Sequence, residues 1–145
     1  MATDEQPDRS LLWALPGTLR SDLLANARPV RIVAGATLFS AGEAGNGCYQ
    51  VNQGLLKITV KVAENEQIQA MAGPGMVIGE LSLLEDGNRS TSVVAVKDSE
   101  LIFISRTHFK SFAQQHPDVY KHLLPLLVQR LRGIKPGTAE TYLLC

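Results

Sequence analysis

The feature that most constrains this chain is a change of hydrophobic period. Between Arg28 and about Ile104, apolar residues recur at every second position in eight short runs: "RPVRIVAG", "ATLFSAG", "CYQVNQG", "LLKITVKV", "EQIQAMAG", "GMVIG", "STSVVAV" and "ELIFIS". Side chains of a strand point alternately to its two faces, so a period of two marks strands with one face buried. Gly, Pro, Asn or Asp separates the runs, as turns require. Short strands at near-regular spacing predict a sandwich or jelly-roll barrel. The clearest run puts Leu56, Ile58, Val60 and Val62 on one face and Lys57, Thr59 and Lys61 on the other. "AENE", residues 63–66, is the expected hairpin tip after it.

The flanks follow a helical period. Leu11, Leu12, Leu15, Leu19, Leu23 and Leu24 share a stripe interrupted by Pro16-Gly17, which predicts two short helices with Trp13 as a core anchor. After Ile104, Ser105 or Thr107 is the expected N-cap of one helix. Pro117 and Asp118 suit the first turn of the next. Its stripe is Val119, Leu123, Leu124, Leu127, Leu131 and Ile134, before Gly133, Pro136 and Gly137 break the pattern. The fold class is therefore mainly β with flanking helices around an eight-stranded β-roll.

Composition narrows the function. The 145 residues have a formal net charge of zero and are 45% apolar and 19% charged. That is an ordinary globular balance without the basic excess that binding to phosphate backbones needs. No apolar run is long enough to span a bilayer. The polar start "MATDEQPDRS" does not resemble a secretory signal. Cys48 and Cys145 form neither a metal spacing nor a disulfide framework, so a reducing cytoplasm is expected and Cys48 reads as a small buried side chain.

One segment does not fit the strand pattern. "GELSLLEDGNRSTSVVA", residues 79–95, has Leu81, Leu83 and Leu84 spaced for a single helical turn between two strands. The first N–H groups of such a turn have no intrahelical partner and favour an anion, and Gly79 permits close approach. Arg89 stands on the strand side of the same loop, with donors that match phosphate oxygens, and Ser90 adds a hydroxyl. Glu80 would repel a phosphate but would accept bonds from ligand hydroxyls. A small nucleotide with few charges meets both needs, its base held by apolar strand faces. A surface ion pair between Glu80 and Arg89 explains the same residues at little energy. The residues alone leave both readings open.

The segment "GPGMVIGELSLLEDGNRSTSVVAV" resembles the phosphate-binding cassette of cyclic-nucleotide-binding domains. Catabolite activator proteins, Fnr-type regulators and the regulatory subunits of cyclic-AMP-dependent protein kinase share that family. "GATLFSAGE" and "YQVNQGLLKI" resemble its first strands, and the likeness runs from about residue 10 to 132. The resemblance implies a double-stranded β-helix over residues 10–134 with a short tail, 135–145, and no DNA-binding domain in this chain. It implies that Glu80 takes the ribose 2′-hydroxyl and Arg89 the cyclic phosphate. Ser90 and backbone amides near Gly79, Leu81 and Ser82 would help to hold that phosphate. Thr91 stands where many members have alanine. By position, Ile134 and Lys135 stand where the bacterial regulators place hydroxyl residues that reach adenine.

Other constellations point away from catalysis. His108, His116 and His122 all lie in the helical part, without the His-x-His pair of a metal-binding β-roll, and read as solvated helix residues. "GEAGNG", residues 42–47, lacks the lysine and the following helix of a phosphate loop and reads as a turn, as does "GPG", residues 73–75. There is no nucleophile elbow and no N-terminal cysteine cluster. Arg130 and Arg132 in "VQRLR" suit a helix end.

The expectation is a non-enzymatic, cytoplasmic sensor for cyclic AMP or cyclic GMP, with no cofactor and no metal. Its partner is a second copy or an effector protein, and the chain alone binds neither DNA nor membrane. The alternative is an interaction module, or a truncated transcription regulator, that binds no nucleotide.

Overall fold

The computed structural model describes residues 12–132, with side chains through Val128. A 3-10 turn, Leu12–Ala14, precedes helix α1, Gly17–Ala25. Eight strands follow among the described residues: β1 Arg28–Ile32, β2 Thr37–Phe39, β3 Gly47–Gln53, β4 Leu56–Val62, β5 Asn65–Ala72, β6 Val77–Ile78, β7 Ser92–Ala95 and β8 Ser99–Ser105. A second 3-10 turn, Glu80–Leu83, lies between β6 and β7. Helices α2, Arg106–Gln115, and α3, Asp118–Arg132, close the described chain. Every run of period two is thus a strand, and the one segment that broke the pattern is a helical turn.

The strands form two four-stranded antiparallel sheets, in the orders β1-β8-β3-β6 and β2-β7-β4-β5. Residues such as Phe39, Val51, Leu56, Ile58, Val93 and Leu101 fill the space between them. A second apolar cluster joins Cys48 of β3 and Ile104 of β8 to Leu12, Leu23, Leu83, Phe109, Phe112 and Val119. The sheet β1-β8-β3-β6 is therefore covered on one face by its partner sheet and on the other by helices. Burying a leucine or phenylalanine side chain stabilises by about 1.5–3 kcal/mol, so the helical layer is held by area more than by propensity.

Local signals set the boundaries. Ser105 caps α2, its hydroxyl accepting from the His108 amide at 3.0 Å. Loop 73–75 turns tightly, with the Met76 amide on the Gly73 carbonyl at 3.1 Å. Trp13 is half-buried rather than in the core: its indole donates to the Gly75 carbonyl at 2.9 Å, and the Arg20 guanidinium covers the ring at 4.3 Å. It ties the N-terminal turn to the loop that feeds β6.

Two apolar stripes are shorter than their periods imply. On β4, Leu56 and Ile58 are buried, but Val60 is half-buried and Val62 is 47% exposed, because the β4–β5 hairpin overhangs the core. Register shifts opposite Ile58 and Thr59, and Thr59 is buried with its hydroxyl 3.4 Å from the Glu66 carboxylate. Two residues, Ala63 and Glu64, make the hairpin turn, with Ala63 at a φ of 57°. On α3, Val119 and Leu123 are buried but Leu124 is 59% exposed, one turn from exposed Tyr120 and Val128. The positions Ile134 and Lys135, the helix break at 133–137 and the tail 135–145 lie outside the described residues, as do the side chains of Arg130, Leu131 and Arg132.

Candidate functional site

The site is built where β6 ends. Gly79 turns the chain with φ +76° and ψ 29°, a left-handed conformation that a Cβ would strain. The Glu80–Leu83 turn starts there, anchored by Leu83, which is 1% exposed and packed in the helical cluster. The Ser82 amide already donates to the Gly79 carbonyl at 3.1 Å, so what Ser82 offers the site is its hydroxyl.

The return segment is zipped to the loop before β3. The Gly45 amide donates to the Gly87 carbonyl at 2.8 Å and the Gly42 amide to the Arg89 carbonyl at 2.7 Å. The Arg89 amide donates to the Glu43 carbonyl at 2.6 Å. This fixes the backbone of Arg89, and its side chain is fixed as well. Nη1 donates to Ser82 Oγ at 3.1 Å and Nη2 to the Gly47 carbonyl at 2.8 Å, while the guanidinium lies 4.1 Å from the Phe39 ring centre. Two glycines leave room for it. A Cβ on Gly79 would collide with Arg89 Nη1, and one on Gly45 would collide with Ser82 Oγ and stand 3.3 Å from Arg89 Nε.

Arg89 is only 7% exposed, and burial pulls its guanidinium below the usual arginine value. Tyr49, Cys48 and Glu43 oppose that shift, and Arg106 adds to it. Burial pushes the Cys48 thiol far up, with Glu80 adding to the rise and Arg89 opposing it.

Glu80 is 5% exposed. A surface ion pair between Glu80 and Arg89 is therefore ruled out by burial alone. The expected residues converge unequally. Gly79, Leu81, Ser82, Arg89 and Thr91 line one pocket with Phe39, Glu85, Asp86, Gly87 and Asn88. The cavity volume is about 60 Å³, and the mouth is open to solvent. Glu80 and Ser90 are not among its lining residues; Glu80 is buried and Ser90 half-buried. Thr91 is buried at 4% exposure and forms part of the pocket floor.

Sequence reasoning missed Phe39, Gly45, Gly47, Asp86 and Arg106. "GEAGNG" is a turn as expected, yet it is also the second wall of the arginine slot; its dense glycines were the available signal. The histidines are less solvated than expected. His108 Nε2 lies 3.2 Å from the Leu23 carbonyl, and the His116 ring lies 4.4 Å from that of Phe112. Among the described residues, no group of three or more His, Cys, Asp or Glu is placed to hold a metal ion.

The profile of the cyclic nucleotide-binding domain matches residues 29–116, which takes in all but the first residue of the roll and all of α2. The chain belongs to the cyclic nucleotide-binding domain family. It is 36% identical over 99 residues to the cyclic AMP receptor protein of Thermus thermophilus, covering 68% of this chain and 46% of that one. It is 29% identical over 119 residues to the CRP-like cAMP-activated global transcriptional regulator of Mycobacterium tuberculosis, covering 81% and 53%. The crystal structure of the N-terminal domain of a transcriptional regulator from Streptomyces coelicolor superposes with a TM-score of 0.79 at 29% identity, covering 92% of this chain and 97% of that one. The chain spans about half the length of the curated relatives it matches. The cyclic nucleotide-binding domain is a regulatory module, and the pocket described here occupies its β6–β7 segment. No described helix is long and apolar enough to cross a membrane.

Proposed function

We propose that the chain is a non-catalytic sensor for a cyclic nucleotide, with cyclic AMP preferred and cyclic GMP admitted. The observation that carries this reading is Arg89: a buried guanidinium, held in place by two neutral oxygens, at the wall of an open pocket. A cation kept from water gains strongly from an anion placed on it, and a guanidinium preset by its neighbours loses little freedom when the anion arrives. Arg89 would take the cyclic phosphate, helped by Ser90 and by backbone amides near Gly79 and Leu81. Glu80 would accept the ribose 2′-hydroxyl. Phe39 and the inner strand faces supply apolar surface for the base. The two relatives, a cyclic AMP receptor protein and a cAMP-activated regulator, support the same ligand class.

Output would follow by population shift. Leu83 of the cassette packs with Phe109, Phe112 and Val119, so a ligand that moves the cassette favours one packing of α2 and α3 over another. The receiver is a second copy or an effector protein. Two observations favour the alternative, a module that binds no nucleotide: Arg89 already satisfies two of its donors inside the protein, and Tyr120, Leu124 and Val128 leave an apolar stripe on α3 exposed.

Titration calorimetry of the chain with cyclic AMP, cyclic GMP and 5′-AMP decides between them. The sensor reading expects saturable heat from a cyclic nucleotide and weaker heat from 5′-AMP. Absence of heat from all three leaves the interaction module.

A further inference from the structure

Arg106, the first residue of α2, is held by more of the site than any single sequence motif explains. Its backbone amide donates to the Asn46 carbonyl at 2.8 Å. Its Nη1 donates to the carbonyls of Gly45 at 3.0 Å, Ser82 at 3.0 Å and Glu85 at 3.2 Å. Its Nη2 pairs with Asp86 Oδ1. The guanidinium is 19% exposed and Asp86 is 90% exposed.

These bonds have one geometric consequence. Ser82 and Glu85 belong to the carbonyl end of the cassette turn, where backbone acceptors lack intrahelical donors and a cation is favoured. Gly45 belongs to the opposite wall, in contact distance of Ser82 Oγ and Arg89 Nε for any added Cβ. One guanidinium therefore pins both walls of the slot that holds Arg89. The same residue opens the helix whose Phe109 and Phe112 pack against Leu83. Cassette, opposite loop and α2 meet in a single side chain. Lysine reproduces this only in part, because its single ammonium could meet the carbonyls or Asp86 but has no second nitrogen to hold both.

We propose that Arg106 is a positioning residue: it clamps the walls of the arginine slot and makes the start of α2 move with the cassette. The coupling half of this inference rests on the sensor reading above; the clamp half does not. Asp86 at the pocket mouth holds the outer nitrogen of the clamp and offsets a second positive charge beside Arg89.

The test uses the full chain as wild type, Arg106→Ala, Arg106→Lys and Asp86→Asn, with cyclic AMP as the probe. Amide exchange without ligand reads the clamp. Arg106→Ala should speed exchange in residues 42–47 and 80–86 beyond the uniform change set by its lower melting temperature. Calorimetry should show affinity for cyclic AMP weakened about tenfold, the weight of one charge-assisted hydrogen bond. Arg106→Lys and Asp86→Asn should fall between that variant and wild type. A residue that only stabilises the fold would not alter the next readout. At saturating cyclic AMP, ligand should protect both the cassette and residues 106–115 in wild type, but the cassette alone in Arg106→Ala. Unchanged affinity together with unchanged protection of α2 overturns the coupling. Exchange in the two loops that merely tracks global stability overturns the clamp. A wild-type chain that gives no heat with cyclic AMP or cyclic GMP overturns the sensor reading and the coupling together, and the unliganded exchange then decides the clamp by itself.

Discussion

At the scale of single residues, the site depends on one buried cation and the space left for it. Arg89→Ala should abolish cyclic-nucleotide binding, since losing a charge-assisted contact of this kind costs about 2–5 kcal/mol. The variant should stay folded but lose about 1–3 kcal/mol of stability, because the Gly47 carbonyl and Ser82 hydroxyl lose their donor. Calorimetry and a urea melt measure the two effects separately; unchanged affinity would place the phosphate elsewhere. Glu80→Gln should weaken cyclic AMP but narrow its advantage over the 2′-deoxy analogue, because an amide accepts from the ribose hydroxyl less strongly than a carboxylate. Paired titrations of the two ligands check this, and an unchanged ribose preference removes Glu80 from the sugar. Gly79→Ala combines a strained φ, at about 1–2 kcal/mol, with a methyl group against Arg89 Nη1. Its loss of affinity should therefore exceed what its melting temperature implies.

At the scale of elements, strands were more legible than stripes. All eight runs of period two became strands, because alternation and glycine turns are local properties. Val62 and Leu124 had the right period and the wrong environment. Val62 lies at the end of a hairpin that extends past the sheet opposite, and Leu124 lies on the face of α3 turned from the core. Period says which residues share a face; it does not say where the facing element ends. The α2 cap was readable to within two residues, Ser105 or Thr107, and geometry selected Ser105. Ser105→Ala should cost about 1 kcal/mol through loss of that cap. Thermal melts should show the drop with cyclic-nucleotide affinity little changed, since Ser105 does not line the pocket. A large affinity loss would mean that the start of α2 is coupled to the site more tightly than through Arg106.

At the scale of the whole molecule, the net charge of zero and the placement of helices bear on nucleic acid. In α2, Phe109 and Phe112 are turned into the core, and the exposed face of α3 carries Tyr120, Leu124 and Val128, which are apolar rather than basic. Among the described side chains of these two helices, the exposed basic residues are Lys110 and Lys121, too few to neutralise a run of phosphates. Fluorescence anisotropy of this chain with duplex DNA at physiological salt should show only weak, sequence-independent association, with or without cyclic AMP. Saturable preference for one duplex over a scrambled one would contradict that. The β-roll, its helical flanks and the segment 79–95 as the place to look are legible in the chain, since periodicity, turn residues and the cassette motif are written along it. Tertiary structure decided the rest. Burial took Glu80 and Arg89 out of the class of surface ion pairs, a change no spacing predicts because exposure depends on what packs above. It brought Phe39, Gly45, Gly47 and Arg106, up to 50 positions from Arg89 in the chain, into one slot. Contacts between residues so far apart are fixed by how the sheets close on each other, and closure is a property of the packed core.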